Sequence, residues 1–273
     1  MDRNDYVRRR RFWYEETSRE AVLEELFALA SEPKEEGDRL TSIAIVGEAN
    51  AGKTRLAREY LERHPSTDGE TGRKVPAIYV SLTLNPRVED LSVALLMALG
   101  DLDPTGGNHR QRVQRFIDLA QEAELGLTFI DEFHDASKPD SRGRGRGEPF
   151  VRLVKGLMNA GQRVVPMGTE VLKEVLGTDT QLNTRFNYRR GRLKRLEEPG
   201  DIKRLMMDLA GLSEDEEDVI EDDAILFVLK QCRGVLGHSL DLIQAALVHH
   251  GDLGLAALET QREFLGDTLD GLV

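Results

Sequence analysis

The chain has 273 residues, 40% hydrophobic and 32% charged, enough to bury one large core or a core with a small satellite domain. No run approaches the roughly 18 apolar residues of a membrane span. The N-terminal MDRNDYVRRRRFWYEE also lacks the apolar stretch of a signal peptide, so a cytoplasmic protein with no membrane partner is expected. The formal net charge of −12 excludes a uniformly basic nucleic-acid coat and confines any DNA contact to local clusters. Such clusters stand out at Arg8 to Arg11, at Arg142, Arg144 and Arg146, and from Arg189 to Arg195.

The first half alternates short apolar, β-rich runs with longer helical patterns, the signature of a parallel sheet with crossover helices. After a helix over SREAVLEELFAL come strands at Ser42–Val46, Ala77–Ser81, Leu127–Ile130, Val164–Met167 and Tyr188–Leu193. Between them Thr54–Arg63, Val88–Leu99 and Gln111–Glu124 carry apolar residues at helical spacing, the last two separated by Pro104-Thr-Gly-Gly. The Arg/Gly alternation of Ser137–Pro149 has nothing to bury and reads as a mobile loop. From Pro199 onward the strands stop, and amphipathic helices are expected over Ile202–Ala210, Asp223–Gln231, Ser239–His249 and Leu255–Phe264. The single cysteine, Cys232, falls in the apolar pattern AILFVLKQC, which makes it a core residue.

Gly47-Glu48-Ala49-Asn50-Ala51-Gly52-Lys53-Thr54 fits G-x-x-x-x-G-K-[ST] and lies where a phosphate loop has to, directly after the strand SIAIV and before the helix TRLAREYLER, whose second residue, Arg55, is counted with the nucleotide site. The glycines let backbone N–H groups curl around phosphates, and the helix N-terminus adds its positive end. Lys53 then reaches β- and γ-oxygens and Thr54 ligates Mg2+. Bound ATP with magnesium is therefore expected. The magnesium shell needs an acid from elsewhere, and Leu127-Thr-Phe-Ile-Asp131-Glu132 delivers two carboxylates at a strand end. Asp131 is placed to hold the metal directly or through water, and Glu132 to polarise the attacking water. His134, in the following loop, reads as structural. Thr169, after the fourth strand, either senses the γ-phosphate or caps a helix beginning at Glu170. Arg185, in Asp179-Thr-Gln-Leu-Asn-Thr-Arg-Phe, lies too far along the chain to serve its own loop; it completes a neighbour's site or forms an intrachain salt bridge.

Together, GEANAGKT, FIDEFHD, VVPMGTE, TDTQLNTRF and RGVLGHSLDLIQAA resemble the AAA+ regulators of DNA transposition, the TniB and TnsC proteins with their MuB and IstB relatives. Arg9-Arg-Arg-Phe-Trp13 and the helix after it are similar to the TniB lead-in. The resemblance implies an α/β fold: a P-loop AAA+ domain with a central parallel five-stranded sheet over residues 41–198, after a lead-in over 1–40 and before a small all-helical lid over 199–273. It further implies ATP-driven assembly into rings or helical filaments on duplex DNA, recruitment of a transposase alongside a TniQ-like target selector, and disassembly on hydrolysis. Carried over by position, Lys53 and Thr54 serve phosphate and magnesium, Asp131 and Glu132 the Walker B acids, Thr169 sensor 1 and Arg185 the arginine finger. Trp13 either packs near the adenine or staples the following helix. The family often has an arginine after the Leu236-Gly237 pair, where this chain has His238, so sensor 2 falls to His238 or to Arg233. DNA contacts fall on Arg87, Asn108, His109 and Arg110, whose chemistry is backbone recognition. The competing expectations are a filament scaffold with vestigial hydrolysis and a replication initiator or loader.

Overall fold

A computed structural model describes residues 13–14, 16–33, 39–69, 72–82, 86–137 and 147–270. The arginine clusters at Arg8 to Arg11 and at Arg142 to Arg146 lie outside the described residues. The chain divides into two compact units. One holds Ser18–Glu48 and Lys53–Leu193; the other holds the described residues before Ser18, the loop segment Ala49–Gly52 and the chain from Lys194 on.

The α/β unit opens with helix α1 (Thr17–Ser31), which buries Val22, Leu23, Leu26 and Leu29 at helical spacing. Strands β1 (Ser42–Ile43) and β2 (Ile45–Val46) are separated by Ala44, and helix α2 (Lys53–Arg63) follows. Next come an exposed hairpin of β3 (Thr67–Gly69) and β4 (Gly72–Lys74), then β5 (Ala77–Ser81), α3 (Val88–Leu99), α4 (His109–Glu122) and β6 (Leu127–Asp131). A 3-10 turn at Phe133–Ser137, α5 (Gly147–Asn159), β7 (Arg163–Gly168), α6 (Val171–Gly177), α7 (Thr180–Asn183) and β8 (Phe186–Asn187) complete it. β6 and β7 are buried along their whole length, as strands covered on both faces must be, and accordingly are mostly apolar, with Thr128, Asp131 and Arg163 as their buried polar members.

The parallel ladder runs β2-β7-β6-β5, with Ile45 opposite Met167, Ile130 opposite Pro166 and Ser81 opposite Asp131. The five-stranded sheet expected from the resemblance is thus corrected to four laddered strands beside a two-stranded pair, β1 with β8. The strand expected at Tyr188–Leu193 is a turn instead. The Asn187 side-chain oxygen accepts the N–H groups of Arg189 and Arg190, which bends the chain, and only Arg192 bridges back to Val46. At Gly191 the backbones come so close that a Cβ would stand 2.2 Å from the Ala44 oxygen, at the residue where β1 and β2 part. A second correction concerns Ser137–Pro149, because Gly147-Glu-Pro149 already forms the first turn of α5. Phe150, Val154 and Leu157 on that helix are buried in the α/β core with Ile130, Phe133 and Leu172. Phe133 meets Phe150 edge to face at 6.4 Å.

The helical unit contains α8 (Pro199–Ala210), a 3-10 turn at Glu214–Val219, α9 (Asp222–Cys232), α10 (Leu236–His250) and α11 (Leu255–Asp270). Pro199 opens α8, where a missing N–H costs nothing, and the left-handed Gly211 closes it. Leu205, Met206, Val228, Ile243 and Leu258 form its core together with Cys232 and Tyr14, whose hydroxyl donates to the Asp201 carbonyl at 2.8 Å. Cys232 is fully buried, and burial pushes its thiol up to about 12. No helix among the described residues is long and apolar enough to cross a membrane.

Candidate functional site

Where β2 ends, the Gly47 N–H donates to the Gly168 carbonyl at 3.2 Å, setting the start of the loop beside the end of β7. Lys53 begins α2 with its side chain turned back: Nζ donates to the carbonyls of Gly47 at 2.9 Å and Glu48 at 2.7 Å. The side chain is buried, and desolvation lowers its pKa against the opposing pull of Glu132, Asp131 and Glu48. One residue on, the Thr54 hydroxyl donates to Asp131 Oδ2 at 2.5 Å, bridging the phosphate loop and the end of β6. The Tyr79 hydroxyl donates to the same oxygen at 2.8 Å, and the Glu132 N–H donates to Oδ1 at 2.8 Å. Asp131 is 1% exposed, so these three donors are what allow a carboxylate to be buried there. Burial and the adjacent Asp131 push the Tyr79 phenol up to about 12.

Glu132 follows with φ of 54°, a left-handed conformation that is uncommon outside glycine. This kink ends β6 and leaves the Glu132 carboxylate 43% exposed beside the buried Asp131. His134 Nδ1 stands 3.4 Å from Glu132 Oε2, and the ring packs where a Cβ on Gly168 would be, 3.0 Å away. Thr169 is half-buried at the end of β7. The capping reading for it is corrected: α6 begins at Val171 with Glu170 at its cap, no side-chain cap bond is made, and Thr169 contributes its carbonyl to the Leu172 N–H. Arg55 points along its own helix, pairing with Glu59 at 2.7 Å and Glu62 at 3.3 Å.

The middle of the loop, Ala49 to Gly52, groups with the helical unit. Asn50 adopts φ of 60°, and its carbonyl accepts the Gly237 N–H at 2.9 Å, from the first turn of α10. A Cβ on Gly237 would lie 2.7 Å from that oxygen, so glycine is what permits the approach. His238 is buried, with Nε2 3.5 Å from the Asn50 amide nitrogen, whereas Arg233 is an exposed left-handed residue capping α9. Trp13 is half-buried in this unit.

The remaining predicted residues lie elsewhere. The Arg185 carbonyl accepts the Ser42 N–H at the start of β1, five residues before Gly47 along the strand direction, which places Arg185 roughly 16 Å from the loop at strand rise. Its guanidinium donates to Asn159 Oδ1 at 2.8 Å, and its Nε is buried with no hydrogen-bond partner among the described residues. Asp179 caps α7 just ahead of it and pairs with Lys155 at 2.7 Å. Arg87 and Arg110 are exposed at the starts of α3 and α4. Val88, His109 and Arg110 line a groove of about 460 Å³ with Glu148, Pro149 and Arg152. Asn108 is the cap of α4, its side-chain oxygen accepting the Gln111 N–H at 3.0 Å. Tyr79 and Gly237 were not singled out from sequence. A polar-tipped tyrosine within AIYVS, beside a strand ending in Asp131, was the only sign of the first.

The model of the Bacterial TniB protein family matches residues 3–196. The chain belongs to the TniB family. It is an ATPase of the AAA+ class, and nucleotide binding goes with that class. No curated protein sequence matches it. Among solved structures, the TniB chain is similar to the Walker-type ATPase PABY2304 of Pyrococcus abyssi, with TM-score 0.59 and 19% identity over 96% of this chain and 75% of that one. It is also similar to the Aeropyrum pernix ORC1 protein, solved in complex with DNA, with TM-score 0.61 and 16% identity over 90% of this chain and 65% of that one. DnaA from Aquifex aeolicus, bound to AMPPCP, gives TM-score 0.52 and 14% identity over 94% of this chain and 68% of that one. At these identities the likeness is one of fold.

Proposed function

We propose that this TniB chain is an ATP-dependent regulator of DNA transposition. It binds ATP with magnesium, assembles with copies of itself on duplex DNA as a ring or filament, engages a transposase and a TniQ-like target selector, and leaves DNA when ATP is hydrolysed. The TniB match over residues 3–196 carries this reading.

The donor set suits magnesium. The Thr54 hydroxyl and the Asp131 carboxylate offer hard oxygens, held side by side by the 2.5 Å hydrogen bond from Thr54 to Oδ2, and a metal that keeps its waters and leans on substrate phosphates needs no more protein ligands than these. When bound, magnesium would offset charge on the phosphate oxygens. Gly47, Gly52 and the N–H groups between them cradle the phosphates, Lys53 exchanges its bonds to loop carbonyls for phosphate oxygens, and the exposed Glu132 carboxylate takes a proton from water. Thr169, half-buried at the end of β7, acts as sensor 1, and His238 stands at the sensor 2 position beside Asn50. Trp13 is assigned to the base. Arg185, whose carbonyl pairs with Ser42 at the start of β1 and not with the end of β2 that leads into Gly47, acts on the nucleotide of a neighbouring copy.

For DNA, Arg87, Asn108 and Arg110 at the starts of α3 and α4 form a backbone-contacting edge. A chain of net charge −12 coats a polyanion only when assembly lines up such residues, so duplex binding should require ATP. The combined Arg87→Ala and Arg110→Ala substitutions should weaken binding to unrelated duplexes about equally, since backbone contacts carry no sequence code. Anisotropy titrations on two duplexes with ATP, ADP and no nucleotide test this; equal binding in all three states, or an unweakened double variant, would place the DNA surface elsewhere. The fold likeness to ORC1 and to DnaA, the latter also solved with single-stranded DNA, favours a second reading as a replication initiator. Preference for single-stranded DNA in the same titrations would support that reading instead.

A further inference from the structure

We infer that Tyr79 is a positioning residue for the metal-binding pair, holding the Asp131 carboxylate in the orientation that presents the Thr54 oxygen to magnesium. The inference rests on the proposed metal-binding role of Thr54 and Asp131. It starts from strand register. β5 and β6 run parallel with Tyr79 opposite Phe129 and Ser81 opposite Asp131, so Tyr79 and Asp131 project from the same face on a diagonal. A long rigid side chain ending in a donor spans that diagonal, and the Tyr79 hydroxyl lies 2.8 Å from Asp131 Oδ2.

The lone pairs decide what this contact does. A carboxylate oxygen has two in-plane acceptor directions. On Oδ2 one is taken by the Thr54 hydroxyl at 2.5 Å and the other by Tyr79. On Oδ1 one is taken by the Glu132 N–H, which leaves one open. Asp131 therefore meets a metal, or a water of its shell, through Oδ1, while Oδ2 serves as the acceptor that fixes the Thr54 proton. With that proton pointed at Asp131, the Thr54 lone pairs face away from the carboxylate, free to ligate a cation. Without Tyr79, Oδ2 regains an unfilled direction, the carboxylate can rotate, and the hydroxyl and the open Oδ1 position lose their common aim. Glu132 is tied to the same carboxylate by its N–H, so the orientation of Asp131 also sets where the proposed base begins. Outer-sphere partners of this kind commonly alter metal affinity by about 10- to 100-fold when removed.

The test is Tyr79→Phe in the full chain, which keeps the ring and removes the donor. Binding of a fluorescent ATP analogue is titrated with Mg2+, and separately measured in EDTA, beside the Mg2+ dependence of hydrolysis. The expected result is a half-saturating Mg2+ concentration raised about tenfold in both titrations, with metal-free nucleotide binding and thermal midpoint close to wild type. A purely structural role for the hydroxyl would lower the thermal midpoint and weaken metal-free binding instead, and that outcome overturns the inference. Asp131→Asn separates the two levels. If Asp131→Asn raises the Mg2+ requirement and Tyr79→Phe does not, the role of Tyr79 is refuted and the metal reading stands; if neither does, the metal reading falls and Tyr79 with it.

Discussion

Asp131 and Arg185 are both charged groups at strand termini of the α/β unit, Asp131 at the end of β6 and Arg185 just before β8, yet they are held very differently. Asp131 is buried and receives three hydrogen bonds, from Thr54, Tyr79 and Glu132. Among the described residues, Arg185 has one side-chain bond, to the uncharged amide of Asn159 at an exposed position, and a buried Nε with no partner. A group that works within its own chain can be fixed before the ligand arrives, which is how electrostatic preorganisation operates. A group that works on another copy has its partner supplied only on assembly. A contact to an uncharged amide at an exposed position is easier to leave than an ion pair: a hydrogen bond with one charged partner contributes about 1.5–3 kcal/mol, where a carboxylate in Asn159's place would hold the guanidinium by a second charge as well.

The strongest way to break this contrast is Arg185→Ala. If the arginine acts on a neighbour's nucleotide, the variant should bind ATP as wild type does and lose about 10³-fold or more of its assembly-dependent turnover. Mixing it with Lys53→Ala protein should restore part of that activity, because the second variant brings an intact arginine to the first variant's intact loop. No recovery in steady-state assays of the mixture, with both proteins folded, would count against the trans assignment. Glu132→Gln comes next. ATP affinity should persist, since Thr54 and Asp131 are untouched, while turnover falls about 10²-fold or more as the proton acceptor is lost; wild-type turnover would remove Glu132 from the mechanism. The smallest effect sharpens the comparison. Asn159→Ala should change assembled turnover by less than about fivefold, in keeping with an exposed hydrogen bond that water can replace. A loss as large as that of Arg185→Ala would mean that Asn159 aims the arginine rather than merely resting beside it.

The contrast also marks how far the sequence could be read. Walker spacing pointed to Lys53 and Thr54 at a helix start and to Asp131 and Glu132 at a strand end, and the fold brings Thr54 to Asp131; β5, β6 and α3 followed from periodicity nearly to the residue. Periodicity was silent for the β3–β4 hairpin, where every residue is exposed and no alternation exists to detect. It misread Gly147–Pro149 because the first turn of α5 continues the composition of the Arg/Gly run before it. The fifth strand failed for a tertiary reason: Gly191 has to pass the Ala44 carbonyl backbone to backbone, and no local pattern encodes that. Tyr79 and Gly237 escaped for the same cause. Each matters through a partner distant in sequence, Asp131 in one case and Asn50 in the other.

The solitary thiol of Cys232 provides a ready instrument. Sealed in the core of the helical unit with its ionisation pushed up to about 12, it should stay silent toward maleimides while that unit is folded and react once it opens. Dyes can thus be attached at engineered surface cysteines, such as one replacing the fully exposed Leu102, without first deleting the native sulfur. Unprompted labelling of Cys232 doubles as a clock for local unfolding in the same sample.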